Sequence, residues 1–291
     1  MPQPLANGNA LIVGAGPIGI ELAVRLKQAG VEYTHVDAAQ IGSTISWYAP
    51  NTQFFSSPER IAIAGVPLQT IDQTKATREE YLTYLRSVVL QFDLRIDTFV
   101  RVTSIVRAGA RFDVRVTSRN GERTLHPSNV VLAIGDMHRP RLLGIPGEDL
   151  PHVSHYFVDP HTYFRRRVIV VGGRNSAVEA AIRCVRVGAD VTLSYRGADL
   201  DGDHVKFWLL PEIRAMIRDG RLEFLGGTTV REIRRDAVVF EPGNRAIEAD
   251  VVLLLTGYEQ DPTLFESAGV KLVGPQRKPQ LDERTMETNV P

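Results

Sequence analysis

Residues 170–181 read VVGGRNSAVEAA. Four β-branched residues, Val168 to Val171, run into two glycines, and a run of helix formers follows. Strand, glycine turn, helix is how a dinucleotide-binding βαβ unit opens. The turn aims the free N–H groups and the positive end of the helix at a pyrophosphate. Gly172 takes the tight-turn position and Ala177 the position of close helix–strand packing, with Gly173 between turn and helix. Two features are unusual. The motif stands at the middle of a 291-residue chain, and Arg174 occupies the place of the middle glycine. A guanidinium there keeps a pyrophosphate off its own Cα but can meet phosphate with the side chain. Asn175 and Ser176 read as helix caps.

Outward from this motif, DVTLSYR (190–196) is the next strand, and it ends without a carboxylate. Tyr195 and Arg196 stand at its tip, which favours a ribose carrying a 2′-phosphate, hence NADP over NAD. Asp199 and Asp201 follow closely and keep NAD open, and a solvated surface role is the plain alternative for Arg196. The same pattern occurs at the N-terminus. ALIVGA (10–15) is a strand and GAGPIG (14–19) a full G-x-G-x-x-G, with Gly14, Gly16, Pro17 and Gly19. PIGIELAVRLKQAG (17–30) is a helix and EYTHVDA (32–38) a strand ending in Asp37, 23 positions after Gly14, where a carboxylate can hold a ribose.

Between the two motifs, 39–77 reads as mostly irregular and 78–91 as a helix. FVRVTSIV, RFDVRVTS and GERTLHP alternate as an antiparallel meander. NVVLAIG (129–135) reads as a buried strand ending in Gly135, and a Pro/Gly-rich connection follows. After the second motif come a helix near Trp208, with Pro211 in its first turn, and strands at 222–225, 228–234, 237–240 and 246–255. The last of these ends at Gly257 much as NVVLAIG ends at Gly135.

Composition narrows the partners. Lys and Arg number 34, as do Asp and Glu, so no net charge draws the chain to nucleic acid or an anionic membrane. No stretch approaches the roughly 18 apolar residues of a membrane span. MPQPLANGNA lacks the features of a secretory leader, so a cytoplasmic protein is expected. The single cysteine, Cys184, excludes an internal disulfide and a CxxC pair, and within IRCVRVG it reads as a small buried hydrophobe.

GAGPIG, NVVLAIG, VVGGRNSA, VTLSYRG and LLLTGY, in this order, resemble the two-domain, thioredoxin-reductase-like flavoproteins. TQFFSSPERIAIAGVP (52–67), HYFVDPHTYF (155–164), GGRNSAVEAA (172–181) and KFWLLPEI (206–213) are similar to the bacillithiol-disulfide reductases of the YpdA family, along nearly the whole chain. A basic residue at the place of Arg174 is usual there. The resemblance implies FAD in the first domain, NADPH in the second, and hydride passing from nicotinamide to flavin and on to a low-molecular-weight disulfide.

It also implies that Gln53, Phe54, Phe55 and Ser56 lie close to FAD. The alternative is a loop anchored by Phe54 and Phe55 in the interior. Trp47 and Tyr48 either shield the flavin or pack, and Lys206 and Trp208 border the nicotinamide cleft. His155 and Tyr156 read as hinge residues, His155 with its hydrogen bonds satisfied; a catalytic role is the other option. Relatives are often dimers, so a homodimer is open.

Two departures stand out. Members carry a cysteine in the first glycine loop, where this chain has Ile18. In members a further strand, a glycine-acid loop and a helix follow the point where this chain stops at Pro291, so the FAD domain is expected to be truncated. Two other readings compete. A flavin-dependent monooxygenase would carry F-x-G-x-x-x-H before the second loop, where this chain has DLPHVSH, and a non-catalytic NADPH-binding fragment is the third possibility. No catalytic residue and no metal site is assigned. The expected fold is α/β, with two Rossmann-like three-layer domains and an antiparallel meander. The FAD domain spans 1–160 and resumes as 258–291, and the NADPH domain, 161–257, is inserted in it.

Overall fold

The computed structural model describes residues 10–200 and 202–290. The N-terminal stretch weighed as a leader and Asp201 lie outside the described residues. The chain forms two compact units. Among the described residues, the first comprises 10–46, 51–139 and 259–290, and the second comprises 47–50 and 140–258. The second unit thus begins at Pro140, upstream of the expected boundary at 161, and it includes Trp47–Pro50.

In the first unit β1 (Ala10–Val13) is the central strand of its sheet and is buried along its length, Leu11 and Val13 in the core shared with the meander. After α1 (Pro17–Gln28), β2 (Tyr33–Val36) pairs parallel to β1, Ala10 opposite Tyr33. Gly19, Ile20, Ala23 and Val24 make the buried face of α1, at helical spacing. The irregular stretch that follows contains two single-turn helices, α2 (Ser43–Ser46) and α3 (Pro58–Ile61). Helix α4 (Arg78–Gln91) starts at a capping box: Thr77 Oγ1 accepts from Glu80 N, and Glu80 Oε2 accepts from Thr77 N. Its buried side is Tyr81, Tyr84, Leu85 and Val88.

The meander is β3 (Arg101–Ala108), β4 (Arg111–Ser118) and β5 (Gly121–Leu125), in that order. Phe112, Val114 and Val116 alternate inward along β4 and pack with Leu11, Val13 and Val36. β6 (Asn129–Leu132) completes a three-stranded sheet in the order β2-β1-β6. The burial expected of NVVLAIG needs correction: β6 alternates, with Asn129 and Val131 exposed on one face and Val130 and Leu132 partly buried on the other.

The chain leaves the first unit within β7 (Arg139–Pro140). The second unit begins its sheet with β8 (Val153–Ser154) and β9 (Arg167–Val171), followed by α5 (Asn175–Arg186) and β10 (Asp190–Tyr195). After α6 (Leu209–Arg218) come β11 (Glu223–Gly226), β12 (Thr229–Ile233), β13 (Ala237–Glu241), β14 (Arg245–Glu248) and β15 (Val251–Leu254). Parallel strands run in the order β11-β10-β9-β15-β8. Ala177, Val178, Ala181 and Cys184 of α5 face the core that Val170, Leu193 and Leu253 build.

β12, β13 and β14 form a separate antiparallel sheet. The expected single strand 246–255 is therefore two. At Ala249 and Asp250 the chain leaves β13, with Ala249 N donating to Asp236 O, and joins β9, with Asp250 N donating to Arg167 O. Within β16 (Tyr258–Glu259) the chain returns to the first unit. There α7 (Thr263–Ser267) packs on β3, and the short hairpin β17 (Leu272–Val273) and β18 (Lys278–Pro279) follows. The fold class is the expected one: α/β, two Rossmann-like units, with the meander in the first.

Candidate dinucleotide sites

In the first unit the glycine turn is shaped by close backbone approach. A Cβ on Gly14 would come within 2.4 Å of Ala133 O, and one on Gly19 within 1.9 Å of Gly14 O. Above Gly16, by contrast, no atom lies within 4 Å of a Cβ position. Gly16 is the N-cap of α1, and no side chain caps the helix. Open space above uncapped N–H groups at the positive end of a helix fits a pyrophosphate. Asp37 lies beside the turn: Oδ2 accepts from Ala15 N at 2.6 Å and Oδ1 from Ala39 N at 2.7 Å. Each oxygen keeps acceptor capacity for a ribose hydroxyl. Gly135 ends the strand exit that Gly14 contacts, and it is exposed.

His35 also belongs to this turn and went unread in the sequence. It is 1% exposed, and its Nε2–H donates to Gly14 O across 2.8 Å, while Nδ1 is buried without a partner among the described residues. Burial lowers its pKa, opposed by the Gly14 hydrogen bond and by the Asp37 and Asp97 carboxylates. Burial thus favours the neutral imidazole at this position.

The Gln53–Ser56 segment is held by α4 and the residues before it. Gln53 bridges to Thr77, Phe54 N donates to Ala76 O, and the Phe54 ring lies 4.6 Å from that of Tyr81. Phe54 anchors the loop, but Phe55 is 58% exposed, so the alternative that buried both rings fails. Tyr48 and Trp47 lie in the second unit, Trp47 edge-on to Tyr156.

In the second unit the strand order turns at β9: β10 lies on one side and β15 on the other. Ligands of α/β sheets bind beyond the carboxyl ends of strands at such a switch point. The exits of these strands are adjacent there, because Leu255 N donates to Val171 O and Gly172 N to Ser194 O. A narrow crevice at this edge is lined by His155, Ser176, Leu255, Gly257 and Tyr258. A larger open hollow of about 410 Å³, around Glu241 and Asn244, contains none of the expected residues.

The loop explains its own sequence. A Cβ on Gly172 would meet Leu255 O at 2.5 Å, and one on Gly173 would meet the Tyr195 ring at 2.4 Å. Gly197 crowds the same ring at 2.5 Å, so Tyr195 lies between two glycines. Arg174, the N-cap of α5, has extended backbone that any residue adopts, and its side chain is exposed. Arg174 and the exposed Arg196 make no ion pair among the described residues, which leaves both guanidiniums for phosphate.

Asn175 departs from its expected capping role. Its Oδ1 accepts from Lys206 N at 2.6 Å, and no side chain caps α5. Ser176 and Ala177 occupy the first turn, Ser176 exposed and Ala177 buried. Lys206 is buried, and its Nζ lies 2.8 Å from Glu179 Oε2 and 5.7 Å from the Trp208 ring centre. Its charge is thus matched by a carboxylate on α5. Glu179 escaped the sequence reading because an acid at i+4 from Asn175 on a helix reads as a surface residue.

His155 is not the satisfied hinge histidine that was expected: its Nδ1 is buried without a partner among the described residues. Cys184 is fully buried, and burial pushes its thiol up to about 12. Among the described residues no group of three or more His, Cys, Asp or Glu could hold a metal, and no helix is long and apolar enough to cross a membrane.

Residues 11–291 match the family model described as pyridine nucleotide-disulphide oxidoreductase. Bacilliredoxin reductase Bdr of Bacillus subtilis (strain 168) is 36% identical over 97% of this chain and 86% of its own. A ferredoxin–NADP reductase of Ignicoccus hospitalis is 29% identical over 97% of this chain and 87% of its own. Among solved structures, bacillithiol disulfide reductase Bdr (YpdA) from Bacillus cereus is 34% identical, with a TM-score of 0.92 over 97% of this chain and 87% of that one. This chain belongs to the pyridine nucleotide-disulphide oxidoreductase family and is an NAD(P)H-dependent flavin oxidoreductase that uses FAD and NADPH.

Proposed function

We propose that the protein reduces a low-molecular-weight disulfide of the bacillithiol type at the expense of NADPH. The reaction balances as one NADPH, one proton and one disulfide giving NADP⁺ and two thiols. The similarity to the two Bdr proteins along 97% of the chain carries this reading. The open space above Gly16 in the first glycine turn and the exposed Arg174 at the second support it.

FAD, when bound, supplies a two-electron relay between a hydride donor and a disulfide. In this proposal the first unit holds FAD. Gly14, Gly16, Pro17 and Gly19 cradle its pyrophosphate, Asp37 its ribose, and Gly135 with Gln53–Ser56 flanks the remainder. The second unit holds NADPH. Gly172–Ala177 take the pyrophosphate, Tyr195 and Arg196 the 2′-phosphate side, and Lys206 and Gly257 the nicotinamide side.

The chain itself offers no thiol to the substrate. Ile18, 72% exposed, stands in the first glycine loop, and Cys184 is buried with its thiol raised to about 12. The substrate disulfide is therefore opened without a protein mixed disulfide. The same lack of a thiol suits a one-electron protein carrier, and a ferredoxin–NADP reductase is among the relatives. That is the second reading.

The test is NADPH consumption by the FAD-loaded chain with bacillithiol disulfide, with a disulfide-bonded bacilliredoxin-type protein, and with ferredoxin. Turnover with the first, undiminished in Cys184→Ala, is the expected result. Turnover with ferredoxin alone would replace the proposal by the second reading. A cytoplasmic location and a homodimer belong to the same proposal, and sedimentation of the purified chain decides the latter.

A further inference from the structure

Glu148 and His155 lie outside both glycine loops, yet they are built as a pair. Glu148 Oε1 accepts from Leu143 N and Oε2 from Gly144 N, each at 2.7 Å, so two backbone groups fix the carboxylate. His155 Nε2 faces Oε1 at 3.7 Å, and the two side chains are only 15% and 11% exposed. The carboxylate favours a proton on Nε2. The other nitrogen, Nδ1, is buried and has no hydrogen-bond partner among the described residues. The ring lines the crevice with Ser176, Leu255, Gly257 and Tyr258. A buried ring nitrogen left unpaired is unfavourable unless something that binds there completes it.

The sheet says which part of a dinucleotide this is. Tyr195 and Arg196 stand at the end of β10, on one side of β9, and β15 and β8 lie on the other side. His155 directly follows β8. A dinucleotide with its pyrophosphate at the start of α5 and its adenosine over β10 extends its other half across β15 toward β8. We propose that His155 is an NADPH-binding residue whose Nδ1 accepts a hydrogen bond from a ribose hydroxyl of the nicotinamide half, and that Glu148 is the positioning residue that holds the ring. The proposal rests on NADPH occupying the second unit.

The experiment is calorimetric titration of the full chain, without flavin, with NADP⁺ and with 2′,5′-ADP, which lacks the nicotinamide half. His155→Ala is expected to weaken NADP⁺ about tenfold and 2′,5′-ADP less than about twofold, with a smaller selective loss in Glu148→Gln. Equal losses for both ligands, or none, would overturn the proposal. Wild-type protein that binds neither ligand would overturn it together with the NADPH site on which it rests. If the variants do not fold, ¹⁵N-histidine spectra of the wild-type chain decide. A shift of the His155 Nδ1 signal with NADP⁺ and not with 2′,5′-ADP supports the contact, and an unmoved signal refutes it.

Discussion

Gly173 shows how a single hydrogen atom can be specified by a neighbour rather than by a ligand. Its missing Cβ makes room for the Tyr195 ring, which Gly197 crowds from elsewhere. Gly173→Ala should cost about 1–3 kcal/mol by overpacking. The cost should largely vanish in a Tyr195→Ala background, and denaturant unfolding of the four proteins of that cycle measures the coupling. At the next position, Arg174 needs no such concession, because extended backbone at an exposed N-cap accepts any side chain. The imperfect glycine motif was thus legible as a turn, but which glycine is indispensable was not, since that depends on a ring 22 residues away. His35 was illegible for a similar reason: its partner, the Gly14 carbonyl, comes from another strand's exit. Burial lowers the pKa of His35, so the unfolded chain takes up the proton first as pH falls. The contribution of this residue is complete above the unfolded value of about 6.5 and is lost as pH falls below it toward the folded value. His35→Gln keeps a donor for Gly14 O, and its stability is expected to fall less steeply over that range when melting is followed against pH.

Elements were legible where periodicity and termini agreed. α4 runs over the residues its pattern indicated because Thr77 and Glu80 close a capping box before an apolar face. Thr77→Ala removes the acceptor for Glu80 N, and a loss of about 1 kcal/mol in denaturant unfolding is expected. Two elements were misread. Apolar runs such as NVVL report hydrophobicity, but burial in a strand depends on what covers each face, and the face of β6 that carries Asn129 and Val131 is uncovered. The run 246–255 joined two strands because nothing local marks the transfer at Ala249 from the antiparallel sheet to the parallel one.

At the scale of the molecule, each unit closes its own core: Leu11, Val36 and Val114 in the first, Val170, Leu193 and Leu253 in the second. Ligands should therefore act on separate transitions. NADP⁺ at about a hundred times its Kd is expected to stabilise the 140–258 unit by about 2.7 kcal/mol and FAD the other unit, seen as distinct displacements in calorimetric scans. One transition moved alike by both ligands would show that the units melt together. The start of the second unit at Pro140 was not readable from the sequence, because β7 and β8 are two residues each and carry no period. The interrupted first unit also has a consequence for how the protein is made. The strands of the second unit's sheet lie within one continuous stretch, which can fold as soon as it leaves the ribosome. β3 must wait for α7, whose Ser267 Oγ accepts from Ile105 N across 162 positions of sequence. At about 5–20 residues per second, that wait is roughly 10–30 s. Throughout it the core that the meander shares with Leu11, Val13 and Val36 lacks Leu264 and Ala268, which arrive with α7.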